Sequence, residues 1–370
     1  MKSVLHINSY YEHSHFYKNL FDEQIKKGII CKVYMPSNRI ADTSFEYGDY
    51  THKDVCFNTI DRAFFHLKHE KIYQKVRIKY DWNEINLIHA HSLFSNGYIA
   101  LKIKKDFNIP YIVAVRNTDV NVFFKRMLHL RNLGIKILKE ADKIIFISQS
   151  YLKLVQDNYV PKDFIDEFLK KSIVIPNGID DYYIKNINYE NKIINNDYIK
   201  FLYVGDINKN KNIRFVAECI DTLKIKKKLT IIGTIKDKNI YKNLTQYDFV
   251  EYIPPQRKEN LIHYYRNSDI FIMPSITETF GLVYVEAMSQ GTPVIYTKGQ
   301  GFDDQFENGK IGYAVNANSE KEIINAIFSI LNNYAVISKN CITLSQKFNW
   351  SNIEKKYANI YNTILGLDGE

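Results

Sequence analysis

Residues 277–295 read TETFGLVYVEAMSQGTPVI, directly after the apolar run DIFIMPS (269–275). A helix is expected from near Gly281 to Gly291, because glycine commonly sits just past a helix end. Thr292-Pro293-Val294-Ile295 then turns into a buried strand. Strand, helix and strand in that order form one unit of a parallel α/β sheet. Glu286 falls mid-helix among Val283, Tyr284, Val285, Ala287 and Met288, and Glu278 lies in the loop before the helix. A buried carboxylate is costly unless hydrogen-bond donors reach it. Two of them around one apolar helix ask for a ligand or for partners elsewhere in the chain.

The same alternation extends in both directions. Strands are expected at 3–9, 30–36, 86–92, 110–117, 143–148 and 172–178, then at 199–206, 229–234, 248–253, 269–275, 293–297 and 312–315. Near-continuous Val and Ile runs separated by helices indicate parallel sheets covered on both faces. So many strands exceed one ordinary sheet, and the pattern restarts after the Asn-rich stretch DDYYIKNINYENKIINNDY (180–198). Two doubly wound Rossmann-like domains are therefore expected: 1–180, a linker at 181–198, and 199–348. A closing helix over 349–370, capped by Ser351, is expected to pack back on the first domain. Ligands bind beyond the carboxyl ends of strands in such sheets, so a central cleft between the two domains is the expected site.

The 370-residue chain is 45% hydrophobic, a globular composition. No run reaches the ~18 apolar residues that read as a membrane span, and MKSVLHINSYY lacks a signal-peptide pattern. Cys31, Cys56, Cys219 and Cys341 are scattered, as reduced core thiols of a cytoplasmic protein would be. Net charge is +9. Part reflects a Lys- and Asn-rich composition. Part gathers in FFHLKHEKIYQKVRIKY (64–80) and FFKRMLHLRNLGIKILKE (123–140), read as basic amphipathic helices fit for an anionic membrane surface. No nucleic-acid-binding signature is present.

Chemistry is sought just after strands. Gly205 permits a tight turn into Lys209, Lys211 and Arg214, a phosphate-site pattern without P-loop spacing. The free N–H groups of Phe280, Gly281 and Leu282 suit a diphosphate. Glu278 and Glu286 on either side could bind the two hydroxyl-rich ends of a nucleotide sugar. The simpler alternative is that Glu278 answers the helix dipole and Glu286 pairs with a lysine.

TETFGLVYVEAMSQGTPVI resembles the Glu-x7-Glu signature of the retaining glycosyltransferases of family four, which have the GT-B fold. FLYVGDINKNKNI, SIVIPNGID, ADKIIFISQSY, NLIHAHSLFSNGYIALKI and IPYIVAVRNTD resemble further segments of that family, in its order. The resemblance implies that Glu278 contacts the donor sugar and Glu286 the ribose hydroxyls. It implies that Gly205, Thr279, Phe280, Gly281 and Leu282 hold sugar and diphosphate, and that Lys211 neutralises the departing diphosphate. Tyr10, Tyr11, His91, Arg116, Asn117 and Asp119 are the acceptor-side candidates; His89 and His91 are taken to face opposite ways. Three positions depart from the family: Asp206 stands where an arginine usually follows the glycine, NSYYEHSHFY (8–17) has no glycine, and Arg116 replaces a common histidine.

The resemblance implies a metal-independent, retaining transferase with no cofactor. It would move a sugar from a nucleotide diphosphate sugar, UDP favoured over GDP, to a glycan or lipid-linked acceptor in surface polysaccharide synthesis. The enzyme is expected in the cytoplasm, peripheral on the inner face of the membrane. The alternatives are a non-catalytic nucleotide-sugar-binding or scaffold protein, which Asp206 and the missing glycine loop favour, and a nucleotide-sugar epimerase, which needs further acids and histidines. An NAD enzyme is disfavoured because no GxGxxG follows the first strand.

Overall fold

The computed structural model describes residues 2–13, 15–39, 46–190, 192–194 and 198–367. The chain forms two compact units. One comprises Met1–Ile147, Tyr151–Pro176 and Trp350–Glu370, the other Ser148–Ser150 and Asn177–Asn349. In the first, β1 (Ser3–Ile7), β2 (Ile30–Ser37), β3 (Thr51–Val55), β4 (Leu87–Ala90), β5 (Tyr111–Val115), β6 (Lys143–Phe146) and β7 (Ser172–Val174) lie in the order β3-β2-β1-β4-β5-β6-β7. Every pairing is parallel. β1, β4 and β5 are buried along their whole length, which is why their sequences run apolar instead of alternating. Successive side chains still go to opposite faces. Leu5 and Val113 join one core cluster, while Val4 and Ile112 join the other.

The helix Trp350–Leu365 supplies Trp350, Tyr357 and Tyr361 to that second cluster. Trp350 meets Phe16 edge-on at 5.0 Å. The helix begins at Trp350, so Ser351 lies inside its first turn and not at the cap position. β3 was not expected. THKDV is a polar edge strand with no buried residue, so it carries no apolar signal.

The second unit holds β8 (Tyr198–Val204), β9 (Lys226–Ile232), β10 (Val250–Ile253), β11 (Ile270–Ile272), β12 (Val294–Thr297) and β13 (Gly312–Val315), in the order β10-β9-β8-β11-β12-β13. All are parallel. Strand order reverses between β1 and β4 in one unit and between β8 and β11 in the other. Those are the switch points beside which doubly wound sheets bind ligands.

The stretch read as a linker belongs to the second unit; residues 191 and 195–197 of it lie outside the described residues. Asp180 accepts from Tyr182 N at 2.8 Å and caps a short helix, Asp181–Lys185. Lys192 Nζ donates to Tyr265 O at 3.0 Å, Ser268 O at 2.8 Å and Thr292 Oγ1 at 2.6 Å. Burial lowers its pKa to about 7. A composition rule misses this, because one lysine can tie down a polar segment that has little apolar content.

The basic stretch at 64–80 forms the expected helix, Phe65–Arg77. The one at 123–140 does not form a single helix. A π-helical turn Asp119–Phe124 and a 3-10 turn Leu128–Leu130 precede the helix Arg131–Glu140. Met127, at φ −103° and ψ 71°, breaks the path, and Arg131 Nε donates across the break to Phe124 O at 2.7 Å. No described helix is long and apolar enough to cross a membrane.

Replacing Lys192 with methionine keeps the stem and removes the donor. Thr292 Oγ1 still serves Tyr265 O, at 2.6 Å, but Ser268 O loses its partner. A loss of about 1–3 kcal/mol is expected in the unfolding of the second unit. An unchanged calorimetric transition would show that the lysine holds nothing.

Candidate functional site

In the second unit the loops after β8 and β11 are stitched together. Asn210 O accepts from Ile276 N at 2.8 Å. Its side chain donates to Thr277 O at 2.9 Å and accepts from Thr277 N at 3.1 Å. Asn208 accepts from Lys211 N at 3.0 Å and caps the turn Lys209–Lys211. Asn212 follows at φ 58°, in the left-handed region asparagine tolerates, and donates to Ala317 O at 2.6 Å. With the turn held in this way, Lys211 Nζ lies 2.5 Å from Glu278 Oε2.

Glu278 is 8% exposed and fixed on every side. Its Oε1 accepts from Thr279 N at 3.0 Å. Its own N–H donates to Gln300 Oε1 at 3.0 Å, and its carbonyl accepts from Gly301 N at 3.1 Å. A Cβ on Gly301 would sit 1.6 Å from Thr279 O, so only glycine lets the loop after β12 come this close. Gln300 and Gly301 were not anticipated. The signal was the glycine pair in TKGQG just after a strand.

The helix after Glu278 runs Leu282–Ser289. Gly281 precedes it at φ 75°, and no side chain caps it. Tyr284 N donates to Gly281 O at 3.0 Å, while the N–H groups ahead of it precede any helical acceptor, so the helix start carries the positive end of the helix dipole. Tyr284 OH donates to Met273 O at 2.6 Å and ties the first turn to the end of β11. The Phe280 ring is core, 5.7 Å from Phe302 and from Phe348, which leaves only its backbone for a ligand. Gly205 N donates to Ile232 O at 2.9 Å, and Asp206 O accepts from Tyr203 OH at 2.8 Å.

Glu286, on the same helix, is met by tyrosine hydroxyls and not by a lysine. Tyr265 OH donates to its Oε2 at 2.8 Å, and the Tyr183 hydroxyl faces it. Burial pushes this carboxyl up to about 7 against the pull of the two hydroxyls, and Asp180 adds to the rise. Neither tyrosine was singled out from the sequence, since each lies on a separate helix far from Glu286 along the chain.

In the first unit Asp119 is fully buried and accepts from Leu93 N at 2.9 Å, Phe94 N at 3.1 Å and Arg116 N at 2.8 Å. It thereby joins the loops after β4 and β5. Burial raises its pKa to about 6, opposed by those N–H groups. Arg116 Nε donates to His91 O at 3.3 Å, and Asn117 pairs with Asn121. Tyr10 is 38% exposed, and its hydroxyl bonds to Thr118. Tyr11 is not on this surface. It is fully buried against Tyr17, Phe21 and Tyr47, with its hydroxyl on Tyr47 O at 2.6 Å.

His91 is likewise in the core. His89 and His91 do not face opposite ways, because residues two apart on a strand share a face. Both are fully buried, their rings 4.0 Å apart, with His6 beside them. His6 Nδ1 and His91 Nε2 are 3.1 Å apart, and His89 Nδ1 meets Tyr361 OH at 2.8 Å. Among the described residues this is the one His, Cys, Asp and Glu group compact enough for a metal. The His89 and His91 rings are stacked at 21°, which runs their in-plane lone pairs side by side instead of converging them on one ion.

Comparison with known proteins extends these observations. The sequence matches the family Glycosyltransferase Family 4 over 14–182 and the family Glycosyl transferases group 1 over 185–347. An uncharacterized glycosyltransferase of Methanocaldococcus jannaschii is 26% identical over 76% of each chain. Alpha-monoglucosyldiacylglycerol synthase of Acholeplasma laidlawii is 26% identical over 64% of this chain and 65% of its own. Sucrose-phosphate synthase from Thermosynechococcus elongatus superposes with a TM-score of 0.79 at 19% identity, over 99% of this chain and 100% of its own. Anabaena HepE in complex with UDP-glucose gives 0.68 at 15% identity, over 98% and 100%.

The buried histidines make the first unit acid-sensitive. Burial lowers His6 and His69 to about 3, and His89 and His91 fall well below 6.5. The unfolded chain therefore binds more protons than the folded one once pH drops below about 6.5, and each histidine costs about 1.4 kcal/mol per pH unit. Asp119 and Glu354, raised by burial, act in the opposite sense but are outnumbered. The first unit's melting temperature should fall steeply from pH 6.5 to 5, and the slope should ease in His89→Gln. A flat profile over that range would contradict the burial of neutral imidazoles.

Proposed function

We propose that this chain, a group 1 glycosyltransferase of the GT-B fold, moves a hexosyl group from a UDP-sugar to a glycan or lipid-linked acceptor with retention of configuration. The observation carrying the reading is the Lys211–Glu278 pair beside the uncapped start of the helix Leu282–Ser289. A diphosphate at that helix start meets backbone N–H groups and the Lys211 ammonium together. As the glycosidic bond breaks, charge builds on the diphosphate, so a fixed cation there acts mainly in the transition state. Lys211 turning to the phosphate releases Glu278 to accept from donor-sugar hydroxyls. Glu286, further into the helix, takes the ribose hydroxyls. The Anabaena neighbour in complex with UDP-glucose supports a uridine donor.

Transfer needs no metal in this reading, because the helix start and Lys211 supply the charge. The departing phosphate takes the acceptor's proton, and attack comes on the face it leaves. Arg116, Asn117 and Tyr10 remain the acceptor-side residues, with Asp119 fixing the loops that carry Arg116 and Asn117.

We further propose that the first unit docks on an anionic membrane. Ile60, Phe64, Leu67 and Leu128 are at least half exposed, with Arg62, Lys125 and Arg126 among them. Phe65 meets Phe123 at 5.8 Å, so the two segments contribute to one surface. Lys71, Lys75 and Arg131 are engaged with Asp61, Val55 O and Phe124 O and are weaker anchors. The relative named for monoglucosyldiacylglycerol synthesis supports a lipid acceptor.

Purified protein assayed with UDP-, GDP- and ADP-sugars tests the donor, and product anomeric configuration by NMR tests retention. Lys211→Ala should lower kcat about 10- to 100-fold, the value of a hydrogen bond to a charged group, with a smaller change in KM. A change in KM alone would make Lys211 a binding residue only. Co-sedimentation with anionic vesicles should be salt-sensitive, at about 1 kcal/mol per basic residue, and should fall in a Lys125→Glu, Arg126→Glu, Phe64→Ser variant. Equal binding to neutral and anionic vesicles would rule the membrane reading out.

A further inference from the structure

Glu286 is hydrogen-bonded by the Tyr265 hydroxyl at 2.8 Å and faced by the Tyr183 hydroxyl, from two other helices. Tyr265 sits on the helix Lys258–Asn267 and Tyr183 on the short helix Asp181–Lys185. The two helices are fastened at their starts, where Lys258 Nζ meets Asp180 Oδ2 at 2.7 Å. Lys192 fastens the far end of the Tyr265 helix through Tyr265 O and Ser268 O. The tyrosine rings meet edge-on at 6.1 Å. The two tyrosines thus face one carboxylate, and Asp180, Lys258 and Lys192 hold the segments that carry them.

That choice of partner has a chemical consequence. A lysine would neutralise the carboxylate and fill its acceptor sites, as Lys211 does for Glu278. Two phenols leave the negative charge in place and occupy only part of its acceptor capacity. A vicinal diol, with two O–H donors side by side, fits what remains. Resting on the reading of Glu286 as the ribose contact, we infer that Tyr265 and Tyr183 are positioning residues of the nucleotide site, holding the Glu286 carboxylate oriented and ionised for the two hydroxyls of a ribose.

The groups facing Glu286 are Tyr265 on the helix Lys258–Asn267, Tyr183 on the helix Asp181–Lys185 and Asp180, which caps that helix. Lys258 is paired with Asp180, and Glu259 faces Tyr183. Arg266 is turned away, to Gln290 Oε1 at 2.7 Å and Asn186 O at 2.6 Å. The helix Tyr334–Ser345 packs on the Glu286 helix, with Ser338 Oγ on Gly291 O at 2.7 Å, and its one charged residue, Lys339, is exposed. Burial and Asp180 oppose ionisation, and the two phenols favour it, leaving the carboxyl at about 7. Donor affinity should then rise with pH across that value, since only the ionised form accepts from both hydroxyls.

The test measures affinity by calorimetry from pH 5.5 to 8.5, using UDP-glucose, GDP-mannose or ADP-glucose, whichever raises the melting temperature most. A sugar diphosphate is preferred to a free nucleotide, whose terminal phosphate titrates near 6. Wild type should show a midpoint near 7, and Glu286→Gln should show none. In Tyr265→Phe the midpoint should move up by about one unit, and affinity at pH 7 should fall about tenfold, the effect of one hydrogen bond to a charged group. Tyr183→Phe should act in the same direction, which keeps the idea testable if one variant folds poorly. The 2′-deoxyribose analogue should bind weakly to wild type and be indifferent to Tyr265→Phe. A Tyr265→Phe midpoint equal to wild type, even with lower affinity, would overturn the inference and leave the ribose assignment standing. If Glu286→Gln matches wild type at every pH, or no sugar nucleotide binds, the functional reading fails as well.

Discussion

A carboxylate inside a protein must find donors, and three of them organise the strand ends of this chain. Asp119 takes three backbone N–H groups, from Leu93, Phe94 and Arg116. Glu278 takes the Lys211 ammonium and its neighbour's N–H. Glu286 takes phenol hydroxyls. The three solutions differ in what they leave over. Asp119 is enclosed by the loops it joins and has no opening to a ligand, so its yield is rigidity. Glu278 is neutralised by a partner that a phosphate could draw away. Glu286 is answered by neutral phenols, which leave part of its acceptor capacity open. A loop fixed by the first kind of carboxylate can present side chains accurately, while the second and third kinds are themselves suited to contact a ligand.

Most of the fold was legible because parallel sheets leave a strong signature. Strands buried on both faces must be apolar throughout, so runs such as LIHA and YIVAV stand out between helices. The signature fades where one face is open. THKDV pairs along the edge of β2 with no buried side chain, and nothing in its composition marks it. The basic stretch after Phe123 shows a different limit. Its helical periodicity is real, yet the chain leaves the helix at Met127. Gly134 then lets the Phe94 ring approach so closely that a Cβ there would lie 2.6 Å from it. Packing decided that path, and packing is not written in periodicity.

The candidate site was legible to the extent that its residues are close in sequence. Glu278, Gly281 and Glu286 share one short stretch, and Lys211 follows a strand end. Their partners do not. Gln300 and Gly301 come from the next strand's end, and Asn210 from the preceding one. Tyr183 and Tyr265 come from helices with no sequence relation to Glu286. A reading of one stretch can recognise that a buried carboxylate lacks a partner, but only the folded chain shows which residue answers. The histidines show the opposite error. A ring nitrogen at a strand end looks like chemistry, but period two puts His89 and His91 side by side beneath Tyr17 and Tyr357, where burial keeps them neutral.

Asp206 stands where the resemblance led one to expect an arginine, and its surroundings limit what that can mean. Its carbonyl accepts from Tyr203 OH, and the next residue, Ile207, is tied to Thr234 O at 2.9 Å. The backbone of the turn is thus fixed by the sheet and not by the side chain at 206. A cation lost at that position removes charge from the site without loosening the turn that carries Lys211. In the proposed reading the positive field for a diphosphate rests on Lys211 and on the start of the helix Leu282–Ser289, and both are independently anchored, one through Asn208 and the other through Tyr284. The turn is therefore ordered whatever side chain stands at 206. An ordered site matters more for transfer than an extra exposed cation, because preorganised donors act on the transition state at no cost in reorganisation, while an exposed charge is screened by water.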